Sequence, residues 1–180
     1  MKFVGLPLAD AYLVQLEPRS DQRGSFARTF CAREFASMGL ETQYVQTNIS
    51  TNVESGTIRG LHLQDRPCSE VKLVRCTRGA LFDVIVDLRE NSPTFRQWYG
   101  AELSEDNALM MYVPKGFAHG YQALSDGASA HYMVSAWYEP HSEVGYRYDD
   151  PAFGIRWPMP VTRISEKDAT WPLLMPSNCL

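Results

Sequence analysis

Between residues 71 and 138 apolar and polar positions come in short strand-like runs, not at helical spacing. The runs are 71–76 (VKLVRC), 80–88 (ALFDVIVDL), 97–103 (QWYGAEL), 109–113 (LMMYV), 119–124 (HGYQAL) and 130–138 (AHYMVSAWY). They are rich in β-branched and aromatic residues, which suit a pleated, half-buried surface. Turn formers separate them: Arg78-Gly79, Asn91-Ser92-Pro93, Glu105-Asp106-Asn107, Pro114-Lys115-Gly116 and Asp126-Gly127. Short strands at roughly ten-residue spacing predict an all-β sandwich or barrel. One stretch, about 32–39 (AREFASMG), reads as a short helix ending near Gly39. Residues 11–50 hold further strand candidates, and strands that precede the barrel are free to pair with a neighbouring subunit. From about 151 the chain carries Pro151, Pro158, Pro160, Pro172 and Pro176. That density predicts a tail of loop with one turn of helix, wrapped on the barrel.

Composition narrows this picture only a little. At 180 residues the chain fits one domain, 1–180, large enough to bury a core. Net charge is −4 and no Lys/Arg cluster is visible, so neither nucleic acid nor a membrane is an expected partner. A local anion site remains compatible with that balance. Cys31, Cys68, Cys76 and Cys179 show no CxxC spacing. No leader-like stretch follows Met1–Lys2 and no long apolar run exists, so the expected setting is cytoplasmic, with reduced thiols.

The chemistry gathers around residues 56–64, GTIRGLHLQ. On a strand, Gly60, His62 and Gln64 face one side. Lys72 and Val74 share a face on the next strand, and Asp83, Ile85 and Asp87 on the one after. If these faces point inward, the lumen holds His62, Gln64, Lys72, Asp83 and His119. Such an interior is costly unless its groups are paired or bind something polar. For any one of them a structural role is the better reading: an ion pair, or a histidine bonded to backbone. For the set, converging from separate hairpins, a ligand site is. The spacing Gly56-x5-His62, with Pro114, Gly116 and His119 later, resembles the two metal-binding hairpins of a cupin jelly roll. Gln64 stands where the second histidine would be, and Glu70 comes later than the pattern asks. Amide oxygen is a poor transition-metal ligand. The expectation is therefore a cupin-like barrel without a metal.

Further segments sharpen the resemblance. SGTIRGLHLQ, VKLVRCTRGALFDVIVDLRENSPTF, ELSEDN, YVPKGFAHGYQALSD, YEPHSEVGYRYDDPAFGIRWP and ISEKD resemble the dTDP-4-dehydrorhamnose 3,5-epimerase family, from about Arg19 to Asp168. The resemblance implies a homodimeric cupin-like barrel that needs no metal or organic cofactor. It implies action on nucleotide-linked 4-keto-6-deoxyhexoses. It makes His62 the base, Asp168 its orienting carboxylate, Lys72 the enolate stabiliser and Tyr132 the proton donor. Imidazole suits such a base because it titrates near neutral pH. Asp83 and His119 match a second pair near the sugar, and Tyr138 an aromatic that stacks on the base. Arg23, Phe26, Gln46, Asn48, Arg59, Glu143 and Lys167 match positions for the diphosphate and nucleoside. The 23–28 segment is expected to reach the partner's active site. His131 and His141 receive no role.

Three positions depart from the family pattern. Arg28 stands where Glu is usual, Thr47 where an acidic residue is usual, and Met133 where Lys usually follows the donor tyrosine. Arg28 and Thr47 fall in nucleotide-contacting segments, so a CDP- or GDP-linked sugar stays open. Inversion at C3 only or C5 only also stays open, as does a non-catalytic sugar-nucleotide-binding cupin. A metal-dependent cupin using His62 and His119 ranks last.

Overall fold

The computed structural model describes residues 1–174. In chain order the elements are β1 (Lys2–Gly5), β2 (Tyr12–Gln15), β3 (Arg19–Asp21), β4 (Gly24–Phe26), α1 (Ala32–Ser37), β5 (Gln46–Thr51), β6 (Ile58–Gln64) and β7 (Lys72–Arg78). They continue as β8 (Ala80–Asp87), β9 (Trp98–Ser104), β10 (Leu109–Val113), β11 (Phe117–Ala123), β12 (Ser129–Val134), β13 (Glu143–Gly145) and α2 (Glu166–Thr170). The strands form a six-stranded sheet, β1-β2-β10-β7-β12-β5, and a five-stranded sheet, β13-β6-β11-β8-β9. The hairpin β3–β4 stands apart. All pairings are antiparallel. The class is the expected all-β.

Alternation explains the layers. Val74, Cys76, Met111 and Val113 from one sheet meet Leu81, Ile85, Leu103 and Phe117 from the other in the central core. Each such buried side chain stabilises the fold by about 1.5–3 kcal/mol. The outer face of the six-stranded sheet is also apolar, through Val14, Leu73, Met110 and Tyr112. Phe35 of α1 covers it, fully buried, with Phe3 5.2 Å away edge-to-face. That one aromatic, not capping, holds the helix in place: Cys31 at its N-cap makes no side-chain cap bond. On the other sheet Val84 and Val86 lie under Phe153, Ile155 and Trp157. The Pro-rich tail thus wraps the barrel as expected, and α2 is its turn of helix.

Two boundaries differ from expectation. The run 130–138 leaves strand geometry after Val134. The short strand β13, which pairs with β6, has no alternation long enough to read. In the N-terminal third, β1, β2 and β5 join the chain's own six-stranded sheet. Cys179 and Pro176 lie outside the described residues.

Candidate active site

The inner faces of the two sheets carry a polar cluster among their apolar side chains, with His119 and Asp83 beside Ile85 and Tyr121. The polar cluster is built around an irregularity in β6. Opposite β11, His62 pairs with His119, while Arg59 pairs with Tyr121, so β6 spends one extra residue there. A bulge of this kind reverses the facing of side chains across it. Arg59 and His62, of opposite parity, consequently line the same cavity. Gly60 makes this possible. Its φ is +118°, and a Cβ there would stand 2.6 Å from the Gly120 Cα.

His62 faces Asp168 across that cavity. The His62 Nε2 and Asp168 Oδ1 atoms are 2.6 Å apart. Asp168 is the third residue of α2, where the Ser165 hydroxyl caps its N–H at 3.0 Å. Its Oδ2 accepts the Gly60 N–H at 3.1 Å, so the bulge and the tail are tied together by one carboxylate. Burial pushes the Asp168 carboxyl up. The hydrogen bond and charge of His62, with the Gly60 and Ser165 donors, outweigh burial and hold it below its ordinary value. An ionised Asp168 makes Nε2 the donor and leaves Nδ1 as the free nitrogen.

Three further groups share the space. Lys72 Nζ lies 3.2 Å from the His62 carbonyl oxygen and 3.2 Å from Glu70 Oε1. Tyr132 lies beside it, and burial first, then nearby Tyr121 and Glu70, raise its phenol above the ordinary range. The phenol is protonated at neutral pH with or without that shift, and the shift makes it the weaker acid. His119 Nε2 meets buried Asp83 Oδ2 at 2.8 Å. Arg59 is steadied by Asn52, whose Oδ1 accepts from Nε at 3.0 Å. The cavity bounded by Arg59, His62, Lys72, His119, Tyr132 and Asp168 has a volume of about 510 Å³.

A second lobe of about 390 Å³ shares His62, Lys72 and Tyr132 and continues past Gln46, Asn48, Tyr138 and Glu143. Tyr138 is in a loop, not on β12; its N–H is held by Gln46 Oε1 at 2.8 Å and its hydroxyl donates to Glu143 at 2.7 Å. Lys167 Nζ meets the same Glu143 oxygen at 2.7 Å. That hydrogen bond raises the Lys167 ammonium's pKa. For Glu143, burial acts upward, and Lys167 and Tyr138 more than reverse it.

The family model for dTDP-4-dehydrorhamnose 3,5-epimerase matches residues 5–175. This chain belongs to the dTDP-4-dehydrorhamnose 3,5-epimerase family. A relative of that name from Sinorhizobium fredii is 43% identical over 97% of this chain and 90% of its own length. The crystal structure of such an epimerase from Elizabethkingia anophelis superposes with a TM-score of 0.92 at 41% identity, covering 96% of each chain. A Legionella pneumophila enzyme solved in complex with dTDP-4-keto-L-rhamnose gives a TM-score of 0.90 at 36% identity, covering 96% of this chain and 92% of its own. A Streptomyces niveus relative, 36% identical over 93% of this chain and 81% of its own length, is named dTDP-4-dehydrorhamnose 3-epimerase.

Within this epimerase-family fold, most of the residues singled out in the sequence converge. Some do not. Thr47 points to the outer face of β5, where its hydroxyl meets His131 Nε2 at 2.9 Å. Alternation is the reason: Gln46 and Asn48 face inward, so Thr47 cannot. Thr47 is thus removed from this chain's own pocket, and His131 gains a surface partner. Gln64 lines the second lobe, yet its amide is spent on protein: Nε2 on Cys68, Glu70 and Trp137, and Oε1 on the Glu139 N–H. It is a strut for the Tyr138 loop. Arg23 and Phe26 project on the β3–β4 hairpin, with Arg23 paired to Asp21 at 2.6 Å and Phe26 69% exposed. Arg28 lies 3.6 Å from Glu34. None of the three lines this chain's own cavity. Lys72 and Asp83, both inward-facing, do not pair with each other, since each has another partner. Glu70, Asn52 and Ser165 were missed. Glu70 shares parity with Lys72, and Ser165 opens the S-x-x-D spacing of a helix N-cap; nothing local marks Asn52.

Proposed function

We propose that this protein inverts C3, C5 or both of a nucleotide-linked 4-keto-6-deoxyhexose. The foremost substrate is dTDP-4-dehydro-6-deoxy-D-glucose, and the product dTDP-4-dehydro-L-rhamnose. The observation that carries this is the His62–Asp168 pair at 2.6 Å, opening on a cavity that also holds Lys72 and Tyr132.

The C4 ketone acidifies the hydrogens on C3 and C5. His62 Nδ1 takes the C3 proton, and the C–H electron pair moves to make an enolate on O4. The Lys72 ammonium stabilises that oxyanion where the charge develops. Tyr132 gives its phenolic proton to the opposite face of C3, which inverts the centre. The imidazolium then loses its proton and the phenolate regains one through solvent. The same cycle at C5 completes a double inversion. Asp168 orients His62 and favours the imidazolium as it forms. Asp83 and His119 border the sugar. Arg59 offers a planar fork to the diphosphate. Gln46, Asn48, Tyr138, Glu143 and Lys167 line the nucleoside side. The β3–β4 hairpin carries Arg23 and Phe26 to the active site of a second copy in a homodimer, and Arg28 follows on the same segment. The reaction as written requires no metal, so turnover is expected to survive chelation. The working location is the cytoplasm; among the described residues no helix is long and apolar enough to cross a membrane.

The test is proton NMR of dTDP-4-keto-6-deoxyglucose with the protein in deuterated water. Deuterium at both C3 and C5 supports the 3,5-epimerase. Deuterium at C3 alone supports the second reading, which the Streptomyces niveus relative favours. Exchange only with a CDP- or GDP-linked sugar would move the nucleotide and keep the chemistry. No exchange with any of them overturns the proposal in favour of a binding module.

A further inference from the structure

Glu70 takes no part in the proton transfers just described, yet it is built into the site. It lies in the loop entering β7, two residues before Lys72. Its side chain is 9% exposed and both of its oxygens are engaged. Oε1 lies 3.2 Å from Lys72 Nζ. Oε2 accepts from Gln64 Nε2 at 2.9 Å. Gln64 is itself pinned by the Cys68 and Trp137 carbonyls and by the Glu139 N–H. The carboxylate therefore cannot follow Lys72 if the lysine swings.

Lys72 needs such a constraint. Its ammonium sits on a flexible four-carbon stem and carries three N–H donors. One donor reaches the His62 carbonyl at 3.2 Å, and a second faces Glu70. His62, Lys72 and Tyr132 line both lobes of the cavity. We propose that Glu70 is the positioning residue for Lys72. Together with the His62 carbonyl it occupies two of the three N–H groups, so the third is directed at the oxygen on which negative charge develops. This inference rests on the enolate reaction proposed above.

The opposing effect has the opposite sign, which makes the inference testable. A carboxylate beside the ammonium also offsets its charge, and charge alone would make Glu70 inhibitory. Glu70→Gln keeps the size, removes the charge and exchanges one acceptor oxygen for an NH2 donor, so it cannot accept from both Lys72 and Gln64 as the carboxylate does. Steady-state rates and deuterium incorporation are measured for wild type, Glu70→Gln, Lys72→Met and the double variant. If Glu70 positions Lys72, Glu70→Gln lowers kcat roughly tenfold or more with KM changed less than about threefold. In the Lys72→Met background the same substitution then lowers kcat by less than about twofold, because there is nothing left to position. Glu70→Asp, which keeps the charge but draws it back by a methylene, also loses rate and serves where Glu70→Gln does not fold. An unchanged or raised kcat in Glu70→Gln or Glu70→Asp overturns the inference, as do losses that multiply in the double variant. A wild-type protein that incorporates no deuterium overturns the reaction itself, and that outcome is read before any variant is made.

Discussion

Asp83 and Asp87 stand on the same strand and the same face, with core residue Ile85 between them, and both are fully buried. They behave differently because of what closes over them. Asp87 accepts from Arg89 Nε at 2.9 Å, from Thr94 Oγ1 at 2.7 Å and from the Ser92 hydroxyl, and Arg89 reaches on to Asp10 at 2.7 Å. Burial pushes its carboxyl up, but these bonds more than reverse that and bring it to about 2. Asp83 has one partner through Oδ2, the imidazole of His119, and its buried Oδ1 has none among the described residues. A guanidinium and two hydroxyls make a closed, permanently charged knot that fixes the turn after β8. Asp83 keeps a histidine and a spare oxygen behind the cavity wall, and that histidine, His119, lines the cavity with His62, Lys72 and Tyr132. Burial and residue type alone do not distinguish a structural carboxylate from one at a reaction site. Here the partners do: Asp87 is closed over by Arg89 and two hydroxyls, while Asp83 meets an imidazole that lines the cavity.

The comparison predicts that substitutions at the two ends affect different observables. The largest effect belongs to His62→Asn. Removing the base is expected to lower deuterium incorporation by about 10³–10⁴-fold, far beyond any effect of the lost Asp168 hydrogen bond on stability. Full turnover in this variant would remove His62 from the reaction. Next comes Tyr132→Phe. With the base intact, deuterium still enters at C3 or C5, while inversion falls by about 10²-fold or more. Equal loss of exchange and inversion would show that Tyr132 does not act as the separate donor.

Asp87→Asn moves the other observable. Breaking a buried charged pair on one side leaves Arg89 with Asp10 as its one carboxylate partner among the described residues, so about 2–4 kcal/mol of stability is expected to be lost. Chemical unfolding reads this directly, and kcat per folded molecule stays at the wild-type level. The sign with pH follows from the lowered carboxyl. Its stabilisation is complete above the unfolded value of about 3.9 and disappears as pH falls toward about 2. A loss of kcat without a loss of stability would place Asp87 in the wrong half of the comparison.

The sequence made one half of this comparison more legible than the other. Alternation alone placed Lys72, Asp83 and His119 inside, because a period of two survives in regular strands. It failed at the bulge in β6, where one extra residue brings Arg59 to the His62 face, and no local pattern announces that shift. It failed again after Val134, where the chain leaves the strand and parity stops meaning anything, although Tyr138 still reaches the site through its loop bonds. The resemblance supplied Asp168, which lies 106 residues from His62. Spacing cannot bring two such distant residues together; only the tail wrapping on the barrel does. Thr47 stands outside this chain's own cavity because parity on β5 puts it on the outer face, and the resemblance carries no parity.

The smallest effect tests whether Asp168 resembles Asp87 or Asp83, since it shares features of both. Like Asp87 it is tied by several donors, through His62, Gly60 and Ser165. Like Asp83 its principal partner is an imidazole. Its carboxyl is lowered, so its contribution to stability is present above the unfolded value of about 3.9 and disappears as pH falls through the folded value. Asp168→Asn is therefore expected to lower the unfolding free energy by roughly 1–2 kcal/mol at neutral pH, with the gap to wild type narrowing below about pH 4. The same variant loses turnover, because an amide cannot favour the imidazolium. A stability gap that stays constant into acid would mean that Asp168 contributes by shape and not by charge. The hydrogen bond to His62 would then be a by-product of packing. A gap that narrows while turnover is also lost would mean that one carboxylate both fastens the tail to the barrel and orients the base. In that case stability and chemistry, divided between Asp87 and Asp83 on β8, are joined in a single residue of α2.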